Sequence, residues 1–416
     1  MLLRNLLLNY KNLERHILLL IAAEFFIQLI NASFMLVLNI HMSKYGYSDP
    51  EIADFISYRF LGVLILALPL GLFIKGRKLK PMFYFTGITM PIASLAILYG
   101  VYHHLNWLLY ISLGMWGISF TTLQVSVLPY ILRNAKSETH SEAISLNYTT
   151  WSLSTIVSGF LMYFLTAINP GFFDENILLS FFGIAGFISI YFLYKISFNE
   201  NVEPLTNKRY SLKDFDWLII IKALIPTTII AVGAGLTIPF VNLFFHSVHG
   251  MDYHEFSILG SASAVLVVMA AISIPQIKRK YGYRVAITLF QSVAVVALVL
   301  LATTEYISHL SVAVYLAVLF YLIRQPFMNM AGPMTSELVM NYVGKRNQEM
   351  VSALNSAIWS GSWYISSRIF MNLREMELSY GVIFYITAAL YAFGVIWYHI
   401  LISDYNRKIK TELVNT

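Results

Sequence analysis

Cysteine is absent from this chain and charge is scarce, with Asp, Glu, Lys and Arg making up only 12% of 416 residues. The first absence excludes disulfides, thiolate nucleophiles and Cys-ligated zinc, and leaves the redox compartment open. The second excludes an ordinary soluble domain, in which about 25% of residues are charged. A phosphate-binding loop is missing as well. Gly344-Lys345-Arg346 lacks both the preceding glycine and the following Ser or Thr of a Walker sequence, and no soluble domain is large enough to hydrolyse ATP. His-Glu-x-x-His, Gly-x-Ser-x-Gly and paired carboxylates inside apolar runs are equally missing, so no catalytic residue, metal or cofactor is expected. What fills the chain is apolar: 58% hydrophobic, 15% aromatic, mean hydropathy +0.66.

A membrane-crossing helix needs roughly 20 mostly apolar residues. Twelve such runs are found, at about 17–40, 52–74, 82–102, 106–132, 142–167, 177–196, 216–245, 255–275, 284–304, 310–338, 350–372 and 380–402. Each must be a helix, because lipid cannot satisfy exposed backbone groups. Of the 28 Lys and Arg residues, 22 fall in alternate connections, starting with Arg4, Lys11 and Arg15 and ending with Arg407, Lys408 and Lys410. The opposite loops hold Lys44 and Arg374 alone. That alternation predicts both termini in the cytoplasm and supports the count of twelve. The net charge of +6 is therefore spread along short loops rather than gathered into a nucleic-acid-binding patch. No cleavable leader is expected, since the apolar run behind Met1 to His16 exceeds a signal h-region.

The longest polar stretch, 197–215, separates an N-terminal six-helix bundle (1–196) from a C-terminal one (216–416). The halves repeat weakly. Gly46 and Glu51 match Gly250 and Glu255 at an offset of 204, and Glu142 matches Glu349 at 207. Asn147, Trp151, Ser154 and Ser158 match Asn355, Trp359, Ser362 and Ser366 at 208. Six-span repeats of this kind mark transporter folds. Between spans two and three stands Gly71-Leu-Phe-Ile-Lys75-Gly76-Arg77-Lys78-Leu-Lys80, and between spans eight and nine Pro275-Gln-Ile-Lys-Arg279-Lys280-Tyr281-Gly282-Tyr283-Arg284. Both resemble the Gly-x-x-x-Asp-Arg-x-Gly-Arg-Arg motif of the major facilitator superfamily. Gly71 and Gly282 match its glycines, and Lys80 and Arg284 its last basic position. Lys75 and Arg279 stand where the family has its acid.

The resemblance implies an all-α membrane protein: twelve transmembrane helices in two pseudo-symmetric six-helix bundles, with spans one, four, seven and ten around a central cavity. Gly71, Arg77, Lys80, Gly282 and Arg284 would then gate. Asn147, Trp151, Asn355 and Trp359 would lie on a packing or rocking surface between halves, which is favoured over substrate contact because small Ser residues accompany them.

Ionisable residues at a helix centre cost about 2.5–3.5 kcal/mol on insertion scales, so each needs a reason. Glu24 is the one acid well inside a run, and Gln28, Asn31 and Asn39 share about an 80° arc of helix with it. It reads as a proton-coupling or cation-recognising carboxylate, against a structural carboxylate near a helix end. Arg324 lies mid-span beside Pro326. It reads as a counter-ion for Glu24 or an anchor for an anionic substrate, against pairing with helix-end carbonyls. Arg59 is expected to pair with Asp54 or to reach the cavity, and Lys222 and Arg368 to snorkel. Gln124, Thr227, Asn242 and Asn329, with Thr121, Thr122 and Thr228, are candidate cavity hydrogen-bonders, although Thr can equally bond its own helix. His246, His249 and His254 match no zinc spacing and read as a solvated loop.

The expected function is secondary active transport of a small organic solute by alternating access, coupled to protons. The surplus of internal base over acid tilts the substrate toward an organic anion or zwitterion, lipid-like molecules included. Proton-driven export of lipophilic cations is the alternative, and a non-transporting membrane sensor or assembly partner is the alternative of another class. The expected partners are a small-molecule substrate, protons and the lipid bilayer, with no nucleic acid. A monomer in a plasma membrane, preferably a bacterial inner membrane, is expected.

Overall fold

The computed structural model describes residues 13–74, 77–136, 139–197, 199–200, 215–344 and 347–415. Among them there is no strand. The helices are α1 (Arg15–Lys44), α2 (Asp49–Phe73), α3 (Lys80–Tyr102), α4 (Asn106–Asn134), α5 (His140–Ile168), α6 (Glu175–Ala185), α7 (Ile188–Tyr194), α8 (Trp217–Thr237), α9 (Val241–His249), α10 (Tyr253–Tyr283), α11 (Phe290–Thr303), α12 (Val312–Val343), α13 (Gln348–Glu375) and α14 (Tyr380–Asn415). The pairs α6–α7 and α8–α9 each make one span, and a π-helical lead-in, Arg284–Leu289, begins the ninth. Ten spans among the described residues are long and apolar enough to cross a bilayer by composition alone. With α2 and α13 they account for the twelve expected. Most of the expected linker, with Lys75, Gly76, Lys345 and Arg346, lies outside the described residues.

The chain divides into two compact units. The first comprises Met1–Ser48, Phe55–Asn207 and Asp252–Ser261, and the second Asp49–Asp54, Lys208–Met251 and Ala262–Thr416. The division falls within the expected linker, but the first turns of α2 and of α10 are each grouped with the other half's helices.

The repeat has a backbone cause. Gly46 ends α1 at φ +87° and Gly250 ends α9 at φ +65°, left-handed conformations that only a residue without Cβ adopts cheaply. The Gly250 N–H bonds the His246 carbonyl at 3.1 Å, and the Tyr47 N–H bonds Met42 at 3.2 Å, closing both helix ends. Glu51 and Glu255 then sit in the first turns of α2 and α10, where helix dipoles favour acid.

In the first unit α1 packs on α5 and on α6–α7, and α3 packs on α4. Glu14 secures the start of α1 by accepting from the Lys136 N–H (2.9 Å) and the Thr139 hydroxyl (3.0 Å). Burial alone would raise its carboxyl pKa, but these bonds hold it below the ordinary value. Lys44 pairs with Asp252 at 2.7 Å and with Glu175 at 3.5 Å. Burial of Asp252 is likewise outweighed, chiefly by Lys44, and its carboxyl is held low.

In the second unit α8 packs on α13 and α14, while α11 packs on α12 and α14. Phe240 and Phe370 stack at 3.9 Å. Two charges expected to snorkel, Lys222 and Arg368, are instead paired here, as is Arg374 of a loop. Lys222 reaches Asp404 at 2.7 Å, and Asp404 also accepts from the Tyr342 hydroxyl at 2.6 Å. Arg368 takes Asp54, which Arg59 therefore does not. Arg374 holds Asp49 at 2.8 Å, together with Tyr380. A carboxylate within reach is a better partner than distant headgroup water, and these partners are too far apart in sequence to be read from it.

Glycines let α2 approach α4. A Cβ on Gly117 would collide with the Arg59 carbonyl, whereas one on Gly114 would meet nothing within 4 Å. Gly117→Val is therefore expected to lower stability by about 1–3 kcal/mol through overpacking. Gly114→Ala should leave it unchanged or raise it slightly. Thermal unfolding of the two purified variants separates them, and equal behaviour would refute the close approach.

Candidate functional site

Two prolines shape α12. Pro326 and Pro333 have no N–H, so the carbonyls of Leu322 and Asn329 lose their helical donors. Beside the first of them the Arg324 side chain enters the second unit with a relative exposure of 1%. Its Nη2 donates to the Tyr391 hydroxyl at 3.2 Å and its Nη1 to Gln325 Oε1, also at 3.2 Å. Gln325 in turn donates to the Tyr321 hydroxyl at 3.1 Å. Arg324 Nε has no partner. Among the described residues no carboxylate pairs with this guanidinium, which cannot shed its charge.

Arg324 fronts a cavity of about 260 Å³ walled by α8, α11, α12, α13 and α14. Thr227, hydrogen-bonded to Tyr398 at 2.9 Å, lines it, as do Asn329, Asn355 and Trp359. Gln291 contributes a buried side chain whose Oε1 is unpartnered. Ile230, Ala234, Met328 and Val339 supply apolar wall. No acidic side chain is among the described residues that line it. A concave, partly apolar space with one fixed cation and several neutral hydrogen-bonding groups suits a small ligand bearing negative charge.

The first unit holds the polar stripe of α1. Glu24 is buried, and its Oε1 accepts from the Thr150 hydroxyl of α5 at 3.1 Å. Its Oε2 has no close partner, with Gln28 approaching more loosely. Asn31 Oδ1 accepts from Arg59 Nη2 at 2.8 Å. The Arg59 guanidinium lies 4.0 Å from the Trp116 ring and contacts the Met35 sulfur. Arg59 thus reaches the stripe and not Asp54.

Other candidates are placed differently. The Gln124 side chain is exposed. Asn242 is buried and its Oδ1 accepts from the next N–H, that of Leu243, at 2.9 Å. Thr121 and Thr122 each donate to the carbonyl four residues back at 2.8 Å, and Thr228 does so at 3.0 Å. In the repeated stripe on α5 and α13, serines face the first helix of their own half. Ser154 donates to the Phe25 carbonyl of α1 at 3.4 Å, and Ser366 to the Val232 carbonyl of α8 at 2.7 Å. Asn147 and Trp151 lie on the same helix, Trp151 edge-on to Phe120. Their counterparts Asn355 and Trp359 line the cavity.

Of the loop-motif residues, Gly71 lies in the last turn of α2, and Arg77 stacks over Phe73 at 4.1 Å. The Lys80 ammonium bonds the Ile196 carbonyl, while Glu200 accepts from the Leu79 and Lys80 N–H groups. Gly282 ends α10 at φ +71°, and Arg284 reaches Ser403 at 3.5 Å. The three histidines are used separately: His246 with the Met251 carbonyl, His249 with Thr304, and His254 with Asp252.

Sequence reasoning missed Gln291, Gln325, Tyr391 and Tyr398. Gln291 carried a readable signal, being the one amide in an apolar run. The tyrosines did not stand out in a chain with 27 of them.

Residues 20–367 match the sequence profile of the Major Facilitator Superfamily. No curated protein matches the chain. Among solved structures it resembles a D-xylose–proton symporter, with TM-score 0.73 and 12% identity over 92% of this chain and 96% of that one. It also resembles a bacterial homologue of the iron transporter ferroportin in an inward-facing state, with TM-score 0.74 and 14% identity over 93% and 98%. A third likeness is PepTSo, a POT family transporter, with TM-score 0.72 and 10% identity over 94% and 98%. At such identities the likeness is one of fold.

Tyr391→Phe removes a neutral acceptor from a buried cation, which should cost about 1–3 kcal/mol of stability. In Arg324→Met the same change should cost little, giving a coupling energy of about 0.5–3 kcal/mol in a double-mutant cycle of thermal unfolding. Additive effects would break the proposed contact.

Proposed function

Because this chain belongs to the major facilitator superfamily, we propose that it moves a small organic anion or zwitterion through the cavity of its second half, coupled to protons through Glu24. It is a multi-pass, secondary-active membrane transporter that works by alternating access. The observation that carries the finer reading is Arg324. A buried guanidinium without a carboxylate, fronting a cavity free of acids among its described walls, is a charge awaiting a counter-ion. A substrate carboxylate or phosphate would take both N–H groups of its planar fork. Tyr391 and Gln325 keep the fork in place, and Gln291, Tyr398 and Asn355 offer the remaining hydrogen bonds.

Glu24 is the partner for the proton. Thr150 steadies one oxygen and leaves the other free to gain or lose a proton, while Gln28 and Asn31 continue the polar line toward Arg59. Halves 1–196 and 216–416 would move against each other about the linker 197–215. Gly71, Arg77 and Lys80 with Gly282 and Arg284 would form the loop contacts that change between states. A monomer in a bacterial inner membrane, with both termini cytoplasmic, fits the charge alternation.

Export of lipophilic cations is the second reading, favoured by the buried Glu24 carboxylate, whose Oε2 has no close partner. A thermal-shift screen of anions, zwitterions and lipophilic cations at two pH values decides between them. A ligand at 100 times its Kd should add about 2.7 kcal/mol of stability. Anionic hits that weaken roughly a hundredfold in Arg324→Ala, the size expected for truncating a buried charge partner, support the anion carrier. Cationic hits lost in Glu24→Gln would replace it with the exporter, and neither hits nor flux would favour the sensor. In proteoliposomes loaded with a hit, Glu24→Gln should keep exchange down the substrate gradient and lose accumulation driven by a pH gradient. Undiminished pH-driven accumulation would remove Glu24 from the coupling.

A further inference from the structure

A second space adjoins the cavity and is unlike it chemically. About 480 Å³ in volume, it lies between the Trp217 end of α8 and the corresponding end of α13, walled by Ile221, Leu224, Ile225, Leu354 and Ile358. Among the described residues that line it, Thr228 spends its hydroxyl on the Leu224 carbonyl of its own helix, and Trp217 places an indole N–H at one end. Beyond that indole and Thr228, these described walls are aliphatic. Hydrocarbon is what it can hold.

Cavity and groove share their walls residue by residue. On α8, Thr227 and Ile230 line the cavity, while their neighbours Thr228 and Ile229 line the groove. On α13, Asn355 and Trp359 line the cavity, while Leu354 and Ile358 line the groove. Successive residues on a helix point about 100° apart, so each helix turns one face to each space. Farther along, the two helices close on each other. Ser366 bonds the Val232 carbonyl, and a Cβ on Gly235 would lie 2.7 Å from Ser366. The cleft thus narrows away from Trp217 and widens toward it. Trp217, Leu218 and Ile221 are exposed at the wide end, and a Trp there suits the membrane interface.

We propose that the transported solute is an amphiphile: an anionic head bound by Arg324 in the cavity, and one hydrocarbon chain laid between α8 and α13 in the groove. This rests on the anion reading of the cavity and adds the substrate class to it. The two spaces divide the ligand by polarity, with the fixed charge at one side of the helix pair and mostly aliphatic described walls at the other. In a bilayer the tail gains little from leaving water, having never been in it, so its selectivity comes from fit between the two helices.

The test uses n-butyl, n-octyl and n-dodecyl phosphate with the full-length protein in phosphatidylcholine nanodiscs. Wild type, Arg324→Gln, Ile221→Trp and Leu354→Trp are compared in identical discs, so that partition into lipid cancels. Each Trp fills the groove without touching the cavity. Both groove variants should weaken dodecyl phosphate by about tenfold or more while binding butyl phosphate like wild type, which also shows them folded. Arg324→Gln should weaken every member of the series. If the Trp variants bind dodecyl phosphate as wild type does, the groove is ordinary bilayer-facing surface and the inference fails. The anion reading then survives wherever butyl phosphate still depends on Arg324. If no alkyl phosphate binds wild type, or none depends on Arg324, the anion reading falls and takes the inference with it.

Discussion

Inside the hydrocarbon layer no water competes for an N–H or a guanidinium, so each polar group carried there must be satisfied by the protein or by what the protein binds. Backbone groups meet this demand by forming helices, and twelve spans follow from it. Side chains meet it one at a time. Thr121, Thr122 and Thr228 turn back on their own helix carbonyls, Ser154 and Ser366 reach across to a neighbouring helix, and Arg368 and Lys222 find carboxylates. Once these ordinary solutions are set aside, other buried groups remain unmatched. Glu24 Oε2, Gln291 Oε1 and the Nε atoms of Arg59 and Arg324 are among the buried atoms without a partner.

The two buried arginines show why burial alone does not make a site. Arg59 is held by Asn31, the Met35 sulfur and the Trp116 face. Each spreads or polarises against positive charge, and an aromatic face is worth about 2 kcal/mol or more to a desolvated cation. Arg324 has a tyrosine hydroxyl and a neighbouring amide, with the Tyr391 ring 5.8 Å away. Its surroundings are poorer and its cavity is open. The same residue type is thus compensated by the protein in one half and poised toward a cavity in the other.

Much of this was legible in the sequence, for reasons that separate by range. Span number followed from hydropathy, because lipid allows one backbone solution. Gly46 and Gly250 were legible as a repeat, and the structure supplies the reason in two left-handed helix ends. Glu24 and Arg324 stood out because charge in an apolar run is rare. Partner choice was not legible. Arg368 and Asp54 are 314 residues apart, and Lys222 and Asp404 are 182 apart, so nothing local announces either pair. The cavity wall escaped for the opposite reason. Tyr391 and Tyr398 are two turns apart on one helix face, a spacing that any packed tyrosine pair could show.

The same constraint limits how the proposed chemistry can work. A positive Arg324 and an ionised Glu24 are each costly when unpaired, and substrate and proton relieve them in different ways. An anion on Arg324 neutralises one buried charge, and a proton on Glu24 neutralises the other. A half-loaded carrier would therefore have to reorient with an uncompensated charge in the low-dielectric interior, where the effective penalty is several kcal/mol. The fully loaded carrier would not. Coupling of this kind needs no direct contact between Glu24 and Arg324. It needs only that either half-loaded form carries a net buried charge, while the empty form, in which Arg324 and Glu24 offset each other, and the fully loaded form do not, with the differential stabilisation of those neutral forms setting how tightly proton and solute move together.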